Sequence, residues 1–398
     1  MSEWKKVKLG EICERVTSGG TPKANVSSYY NPPTIPWLKT KEVNYCRITE
    51  TENYISEEGL KNSSAKLISP NSVIIAMYGQ GDTAGRIAIN KIPLATNQAC
   101  CNLTIDKSKA DYEFIYYQLC TLYDKLVSLK AGAAQPNLNA RIIKNLEIIM
   151  PSLPIQHRIA NILSRYDSLI ENYQKQIKLL EEAAQRLYKE WFIDLHFPGH
   201  ENTNITNGVP EGWEKKSIGE IGEYLNGFAF KPSDWQELGK PIIKIKEMGN
   251  GVTNETPRNG GERVPAKYLI KAGDLLFSWS ATLMVIIWSG EEGWLNQHLF
   301  KVTPVKGIDR EFLLQSISNT IVEFQNLTTG STMKHIQRNK LDQVFVNVPN
   351  AEIMKRYSDI SEKTRSNILS LQSQLRLLTE ARNRLLPKLM SGEMAVIE

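Results

Sequence analysis

The feature that most constrains this chain is a repeat of about 200 residues. The segment WKKVKLGEI at residues 4–12 returns as WEKKSIGEI at residues 213–221. Four further pairs follow in the same order: PWLKTKEV with PIIKIKEM, SPNSVIIAMYG with KAGDLLFSWSA, TNQA with LNQH, and GAAQPNLNARIIKNLEIIMP with GSTMKHIQRNKLDQVFVNVP. The separation drifts from 209 residues (213 − 4) to 198 (330 − 132), as changes in loop length produce. So long a period is that of a domain rather than a solenoid repeat, so the sequence predicts a tandem duplication.

The first part of each copy has the pattern of a mixed α/β domain. Short apolar runs such as SVIIAMYG, NLEIIMP, DLLFSWS and QVFVNVP are bounded by Gly, Pro and Asn, which is typical of strands. The segments DYEFIYYQLCTLYDKLVSL and DREFLLQSISNTIVEFQNL have apolar residues at helical spacing.

The second part of each copy has the pattern of a long helix with a coiled-coil seam. Apolar residues alternate in steps of four and three at Ile159, Leu163, Tyr166, Ile170, Tyr173, Ile177, Leu180, Ala184, Leu187 and Trp191. The second copy keeps the same phase at Tyr357, Thr364, Ile368, Leu371, Leu375, Leu378, Leu385 and Leu389, with Ser361 and Arg382 as its weak positions. Asn350 is a predicted N-cap, and Pro387 is predicted to kink or end the second helix.

The predicted fold class is therefore α/β (α+β), a duplicated mixed α/β domain followed each time by a long helix. The two helices are expected to pair as an antiparallel coiled coil. The expected boundaries are a first domain at 1–151, a long helix at 152–196, a polar, turn-rich linker at 197–212, a second domain at 213–349 and a second long helix at 350–398.

Composition and charge narrow the functional classes. The sequence contains no run of eighteen apolar residues, so no membrane span is predicted. The N-terminus lacks the apolar region of a signal peptide, so the expected compartment is the cytoplasm. The five cysteines lack the spacing of a disulfide framework or a zinc site, and the five histidines show no metal-ligand spacing. The formal net charge of +5 permits nucleic-acid binding without demanding it.

Two short motifs test whether the chain is an enzyme. Asn31-Pro32-Pro33-Thr34 is close to the motif with which amino-methyltransferases hold a flipped base, but no aromatic residue follows the prolines. Thirty preceding residues also leave no room for a cofactor-binding βαβ unit, so a Pro-Pro turn is the preferred interpretation. The stretch YGQGDTAGR at 78–86 is one residue off a dinucleotide fingerprint. The second copy lacks these glycines. The stretch at 78–86 is therefore interpreted as a glycine-rich loop that follows a strand and faces DNA.

With these features in place, the chain resembles the specificity subunits of type I restriction-modification systems. The resemblance rests on the two similar domain starts, on SGGTP at 18–22, and on the Asn-Gln pairs at 97–98 and 296–297. It also rests on LPIQHRIANIL at 153–163, YKEWFIDLHFPG at 188–199 and RNRLLPKLMSGEM at 382–394. It covers the whole chain, and the order and duplication of these motifs are more specific than any one of them.

The resemblance implies a protein that is not catalytic alone. Each α/β domain would be a target recognition domain that reads one half of a bipartite, asymmetric site in double-stranded DNA. The helices would set the spacer and dock two modification (methyltransferase) subunits, to which restriction subunits add an ATP-dependent nuclease and translocase. The resemblance places S-adenosylmethionine, ATP and Mg in those partner subunits, which together methylate adenine or cut DNA, and none in this chain.

Candidate contact residues follow from residue type and loop position. Arg and Lys suit phosphate contacts, and Asn, Gln, Ser, Thr and Tyr suit base edges. The candidates for DNA binding are Ser18, Gly19, Gly20, Thr21, Lys39, Lys41, Tyr78, Gln80 and Arg86 in the first copy, and Asn226, Lys231, Lys244, Lys246, Trp279, Ser280, Lys334 and His335 in the second. The Asn-Gln pairs could instead be structural hydrogen bonders. On the expected exposed helix faces, Arg158, Arg165, Arg356 and Arg365 are the candidates for partner binding.

Two alternative functions remain open on the sequence alone. One is a stand-alone DNA methyltransferase or nuclease, which would need a cofactor or metal motif that the sequence does not present. The other is a coiled-coil scaffold without a role in DNA reading, which would have no need for two α/β domains with unlike loops.

Overall fold

The structure, a computed structural model, describes residues 4–130, 137–327 and 338–396. The chain divides into two compact units. Unit 1 comprises Met1–Leu169 and Leu378–Glu398, and unit 2 comprises Ile170–Leu377. Unit 1 is thus assembled from two pieces that are far apart in the sequence, whereas unit 2 is one continuous stretch.

Unit 1 contains two sheets and one strand pair. Its main sheet has five strands in the order Cys13–Ser18, Cys100–Ile105, Val73–Ala76, Ile87–Asn90 and Cys46–Ile48. The last of these runs parallel to its neighbour, and the other pairings are antiparallel. The small sheet has the order Tyr54–Ile55, Ile35–Leu38, Leu94–Thr96 and Leu67–Ile68, with one parallel pairing at its centre. The separate pair joins Lys5–Lys8 to Glu147–Met150.

The helices of unit 1 begin where polar side chains cap them. Asp111, Asn139 and Ser56 each accept a hydrogen bond from a backbone N–H three residues later, as N-cap residues do. The α-helices outside the long ones are Glu57–Lys61, Tyr112–Cys120, Tyr123–Ser128 and Ala140–Lys144. The 3-10 helices are Leu9–Ile12, Ser27–Tyr29 and Thr40–Glu42.

Unit 2 repeats this plan. Its main sheet has the order Gly222–Asn226, Leu299–Pro304, Leu275–Ser278 and Met284–Ile287, all antiparallel. Its small sheet has the order Arg258–Asn259, Lys240–Ile243, Gly293–Leu295 and Leu269–Ile270. Two strand pairs join Glu214–Ser217 to Phe345–Val348 and Ile205–Thr206 to Val209–Pro210. The helices are Ile245–Asn250 and Arg310–Leu327, with 3-10 turns at His200–Asn202, Pro232–Asp234, Ala266–Tyr268 and Arg338–Gln343.

The matched strand orders confirm the predicted tandem duplication. Each small sheet has its parallel pairing at the same place, between Ile35–Leu38 and Leu94–Thr96 in unit 1 and between Lys240–Ile243 and Gly293–Leu295 in unit 2. One element differs. The fifth strand of the main sheet of unit 1, Cys46–Ile48, has no counterpart in the main sheet of unit 2 among the residues that the structure describes.

The two long helices have the predicted seam. The first long helix is Leu153–Tyr188, continued by a π-helical turn at Lys189–Ile193, and the second long helix is Ala351–Ser391. The ten seam residues predicted for the first helix are all buried or half-buried. Asn350 caps the second helix by accepting a hydrogen bond from the Ile353 N–H at 3.0 Å. The first long helix alone spans about 54 Å at 1.5 Å per residue.

Within each unit the long helices run in opposite directions. In unit 2 the ring of Trp191 lies 6.0 Å from that of Tyr357, so the end of the first long helix meets the start of the second. In unit 1, Asp167 of the first long helix lies 3.5 Å from Arg382 of the second, and Ile159 shares a core cluster with Leu389. This confirms the antiparallel pairing.

Two details correct the sequence analysis. The second long helix continues past Pro387 to Ser391, so of the two outcomes predicted for this proline, a kink or an end, the end is wrong. Only one backbone N–H is lost at a proline, and the apolar contacts of Leu389 and Met390 with the core of unit 1 hold the last turn. The helix expected over residues 111–129 is interrupted at Thr121 and Leu122.

Candidate nucleic-acid interface

The segment Ser18-Gly19-Gly20-Thr21 is packed against the turn that carries Asn97 and Gln98. The Gly20 N–H donates to the Thr96 carbonyl at 2.8 Å, and a Cβ added at Gly19 would lie 2.1 Å from that same oxygen. The Thr21 hydroxyl is hydrogen-bonded to the exposed side chain of Gln98. The two glycines are therefore required by close packing, and Thr21 and Gln98 are the members that reach the surface.

Unit 2 builds the same junction. A Cβ at Gly227 would lie 2.2 Å from the Asn296 carbonyl. The Asn296 N–H donates to the Ile243 carbonyl at 3.1 Å, as the Asn97 N–H donates to the Leu38 carbonyl at 2.9 Å. Asn296 is buried, and its side chain donates to Gln297 at 2.8 Å. Of the two roles considered for the Asn-Gln pairs, the asparagines have the structural one, and the glutamines are the more exposed members.

Lys39 and Lys244 occupy equivalent positions and both lie over a tryptophan, but not over the same one. The Lys39 ammonium lies 5.1 Å from the ring of Trp37, which is buried, and donates to Asn53 at 2.9 Å. The Lys244 ammonium lies 4.6 Å from the ring of Trp235, which is 48% exposed. Each lysine is held by a cation–π contact, and only the second presents an open aromatic face beside it.

The glycine-rich loop of unit 1 connects two antiparallel strands of the main sheet rather than a strand and a helix. Gly81 and Gly85 have φ of +60° and +94°, a backbone region that favours glycine. Arg86 donates to Asp82 at 2.6 Å and to Asn44 at 3.1 Å. This geometry confirms a loop after a strand and does not fit a dinucleotide fingerprint, which needs a helix to follow.

Tyr78 and Gln80 belong to the same loop. They line a cavity of about 320 Å³ together with Lys130 and Asn137. Gln80 is exposed, and Tyr78 is half-buried. Burial raises the pKa of the Tyr78 hydroxyl, which therefore stays protonated at neutral pH and keeps its proton for hydrogen bonding.

The equivalent loop of unit 2 gathers Asn226, Trp279, Ser280 and His298. The Trp279 indole donates to Asn226 Oδ1 at 3.3 Å, and its ring lies 5.9 Å from that of His298. The hydroxyl of the buried Ser280 lies 3.3 Å from His298 Nδ1. Three of these four residues were expected from the sequence. His298 was missed, although its place directly after the second Asn-Gln pair marked it.

The remaining candidates are scattered. Lys41 forms an ion pair with Glu52, and Lys246 lies 3.3 Å from Glu255. Lys231 is exposed, and its backbone N–H donates to Asp234 at 2.7 Å. Lys334 and His335 lie outside the described residues.

The four arginines expected on exposed helix faces are not alike. Arg165 and Arg356 are exposed, Arg356 pairs with Glu352 one turn away at 2.7 Å, and Arg158 is half-buried. Arg365 is a correction: it is buried, and its guanidinium makes hydrogen bonds of 2.8 and 2.9 Å to Glu311. Glu311 belongs to the helix Arg310–Leu327, which packs against the second long helix. The Arg365 side chain therefore does not lie on an exposed face.

A second buried ionic cluster lies in unit 1, where Arg47 of the fifth strand joins two acids. Its guanidinium donates to Asp167 at 2.9 Å, to Glu113 at 3.1 Å and to the Tyr117 hydroxyl at 2.8 Å. Burial alone would raise the pKa of Glu113, but Arg47 and Lys91 outweigh it, so that the pKa lies below its usual value. No local sequence pattern indicates this cluster, because Arg47 and Asp167 are 120 residues apart.

In the part of the chain that the structure describes, neither the cysteines nor the other side chains able to bind metals form a reactive centre. None of the five cysteines forms a disulfide bond, and burial raises the pKa of Cys13, Cys101 and Cys120 to about 12. No group of three or more His, Cys, Asp and Glu side chains among these residues is placed to hold a metal ion. No described helix is long and apolar enough to cross a bilayer.

Fold and site together define a protein made of two copies of one α/β framework with different loop side chains, joined to a pair of long antiparallel helices. Comparison with known proteins assigns this class. The profile of the type I restriction modification DNA specificity domain matches residues 1–182 and 210–376. The chain therefore belongs to the type I restriction-modification specificity family, the DNA-specificity components of multisubunit enzymes that are not catalytic by themselves.

Individual relatives span the whole chain. The type I restriction enzyme MjaIX specificity subunit of Methanocaldococcus jannaschii is 27% identical over 100% of this chain and 94% of the relative. The HindI specificity subunit of Haemophilus influenzae is 21% identical over 99% of this chain and 100% of its own length. The crystal structure of the type I restriction-modification S subunit from M. genitalium has the same fold, with a TM-score of 0.63, 16% identity and coverage of 100% and 97%.

Proposed function

We propose that unit 1 and unit 2 each read one half of a bipartite, asymmetric site in double-stranded DNA. The observation that carries this proposal is the contrast between a repeated framework and unlike loops. The loop that follows the strand Val73–Ala76 in unit 1 carries Tyr78 and Gln80. The loop that follows the equivalent strand Leu275–Ser278 in unit 2 carries Trp279 and Ser280. Different donors and acceptors on equivalent loops read different base edges, so the two half-sites differ.

In this proposal each recognition domain contributes its own set of contact residues. In unit 1, Thr21, Gln98 and Gln80 are exposed for base edges, and Lys39, Lys41 and Arg86 are cations for phosphates. In unit 2, Asn226, Trp279 and His298 take the base-reading role, and Lys231, Lys244 and Lys246 the phosphate role. Lys334 and His335 remain candidates. Ser18, Gly19, Gly20 and Ser280 shape the loops.

The proposal also covers the other parts of the assembly. Residues 1–151 and 213–349 are the target recognition domains, 197–212 is the linker, and the helices at 152–196 and 350–398 set the spacer and dock two modification subunits. Arg158, Arg165 and Arg356 are candidate contacts on those helices. Restriction subunits complete the complex in the cytoplasm. S-adenosylmethionine, ATP and Mg are bound by the partner subunits.

The test is modified-base sequencing of DNA from cells that express this chain with its cognate modification subunit. We expect methylation at a split, asymmetric motif that is absent when the modification subunit is expressed alone. If the partner is folded and active and no new motif appears, DNA reading is contradicted and a scaffold role takes its place.

The same assay assigns the half-sites. Gln80→Ala in unit 1 is expected to relax or weaken one half of the motif only, because a good bidentate base contact contributes about 1–3 kcal/mol of discrimination. Asn226→Ala in unit 2 is the corresponding variant of a base-reading residue and is expected to act on the other half. Changes in both halves from one substitution would contradict the assignment of one unit to each half.

A further inference from the structure

The main sheets of the two units end differently at the same edge. In unit 1 the strand Ile87–Asn90 is fully buried and is covered by the parallel strand Cys46–Ile48. In unit 2 the equivalent strand, Met284–Ile287, pairs with Leu275–Ser278 on one side, and no strand of the described residues pairs with its other side. Three of its four residues are half-exposed. Unit 2 thus presents a short apolar sheet edge where unit 1 has a covered one.

The covering strand of unit 1 shows what such an edge accepts. Arg47 stands beside Ile89, with Cys46 beside Ala88 and Ile48 beside Asn90. From this register the Arg47 side chain turns under the sheet and reaches Glu113, Tyr117 and Asp167. The strand therefore combines backbone pairing at the edge with one basic side chain in a buried polar pocket.

Unit 2 has a cavity at the corresponding place. Its volume is about 300 Å³, and its walls include Val285, Ile286 and Ile287 of the open edge. The polar part of the wall is formed by Glu181, Gln185, Ser289, Gln315, Ser318, Arg365 and Gln372. Glu181 comes from the first long helix, and burial raises the pKa of its carboxyl group. The cavity thus lies next to the edge strand, as the pocket of Arg47 does in unit 1.

Two buried oxygens in this wall lack a donor. Gln315 is 4% exposed, and its amide nitrogen donates to Glu311 at 2.8 Å, which fixes the orientation of the amide. Its Oε1, like the Oε1 of Gln372, accepts no hydrogen bond from any described residue. Buried acceptors without a donor are costly and rare in folded proteins. Arg365 also lines the cavity, but its guanidinium is hydrogen-bonded to Glu311. The two amide oxygens and the Glu181 carboxylate are thus a group of acceptors that Arg365 does not bond.

We propose that Met284–Ile287 and this cavity bind an extended segment of a partner protein, which adds to the sheet as a fifth, parallel strand. A basic residue of that segment enters the cavity and donates to Glu181, Gln315 and Gln372. By the register of unit 1, this residue stands beside Ile287 and has a β-forming neighbour on each side. The edge gives backbone hydrogen bonds, and the pocket gives specificity. The inference goes beyond DNA reading and does not depend on it.

The test uses a synthetic peptide whose design comes from the chain itself. Its sequence is that of residues 43–50, VNYCRITE, with Ser in place of Cys. A matched peptide carries Gln in place of Arg. We expect saturable binding of the Arg peptide to the full-length protein, without DNA, at about 1 mM or below, and binding of the Gln peptide at least about tenfold weaker. Isothermal titration calorimetry measures both.

Variants of the protein locate the binding. Glu181→Gln and Gln315→Leu are each expected to weaken the Arg peptide by about tenfold. Glu182→Gln is the control, because Glu182 is the next residue on the same helix, lies 3.6 Å from Arg186 and does not line the cavity. It is expected to bind as the unchanged protein does.

Hydrogen exchange read by mass spectrometry gives a second, independent result. The peptide is expected to slow exchange at Met284–Ile287 and to leave Ile87–Asn90 unchanged, since that strand is already covered. Equal binding of the Arg and Gln peptides, or no binding of either, overturns the proposal. So does full protection of Met284–Ile287 without peptide, since a segment of this chain would then already cover the edge.

Discussion

In each unit, the helix that carries an inward-facing glutamate is joined to a long helix by ionic contacts, but the charges are arranged in opposite ways. The glutamate-bearing helix is Tyr112–Cys120 in unit 1 and Arg310–Leu327 in unit 2. Glu113 and Glu311 are equivalent acids, 198 residues apart (311 − 113); Glu311 is buried and the side chain of Glu113 is largely so. In unit 1 the long-helix position facing the acid is Asp167, and Arg47 supplies the positive charge from the fifth strand. In unit 2 the equivalent long-helix position is Arg365, which pairs with Glu311 directly.

The difference teaches what the framework requires and what it leaves free. A buried carboxylate must have a cation within hydrogen-bonding reach, but the cation can come from a different element in each copy. In unit 1 this choice ties the fifth strand, the helix Tyr112–Cys120 and both long helices to one cluster, because Arg382 also approaches Asp167. In unit 2 the long helix makes the pair alone, and the fifth strand is not needed for it.

The largest expected effect comes from removing the bridging cation of unit 1. Arg47→Met leaves Glu113 and Asp167 in a buried site with fewer partners, and we expect unit 1 to lose about 3–5 kcal/mol of stability. Hydrogen exchange in each unit, measured by mass spectrometry, distinguishes the loss in unit 1 from the stability of unit 2.

Arg365→Met is the matched change and is expected to cause a loss of similar size in unit 2 alone. Arg356→Met, on an exposed helical pair, is the control and is expected to change stability by about 0.5 kcal/mol or less. If Arg47→Met did not change hydrogen exchange in unit 1, the ionic cluster would not be responsible for holding the fifth strand in place.

A smaller effect is expected where the two units are alike. Gly19→Ala and Gly227→Ala each place a methyl group within 2.1 and 2.2 Å of a carbonyl oxygen in the Asn-Gln turn. Each is expected to destabilise its own unit by about 1–3 kcal/mol through overpacking. Chemical denaturation combined with exchange in each unit measures this, and Gly208→Ala, in an open turn with φ of +76°, separates backbone strain from packing. A loss of DNA specificity with unchanged stability would instead favour a direct contact at Gly19.

The smallest effect is a difference in pH dependence. The pKa of Glu113 is lowered in the folded protein, so its contribution to stability is present above the unfolded pKa of about 4.3 and is lost as pH falls. The pKa of Glu181 is raised, so its ionisation opposes folding, and unit 2 gains stability as pH falls through the raised folded-state pKa.

Between neutral and mildly acidic pH, we therefore expect the exchange of residues around Glu181 to slow before that around Glu113 quickens. Glu181→Gln should remove the first change, and Glu182→Gln should preserve it. Parallel pH profiles in both units, after correction for intrinsic exchange, would show that the two acids do not differ in this way.

Much of the framework could be predicted from the sequence because its signals are local or periodic. The duplication, the seam from Ile159 to Trp191 and the N-cap at Asn350 each depend on residue spacing within a few turns. The glycine-rich loop also followed from local residue types.

What the sequence left open depends on contacts between distant segments. Arg365 has the spacing of a surface residue on a long helix, and only the packing of Arg310–Leu327 against that helix buries it. Arg47 meets Asp167 across 120 residues, and Trp235 reaches Lys244 from a loop. No pattern within one element reports such pairs, because each partner looks like an ordinary polar or aromatic residue in its own neighbourhood.

The division of unit 1 into two pieces has a consequence for the order of events during synthesis. Leu389 and Met390 belong to the same apolar core as Leu9 and Phe114, yet they are synthesised after the whole of unit 2. Unit 2, a continuous stretch from Ile170 to Leu377, has all its parts while the first unit is still missing its final ones. Domains usually complete in the order of translation, and here the N-terminal one finishes last. A premature stop just before Leu389 would therefore damage the beginning of the protein rather than its end.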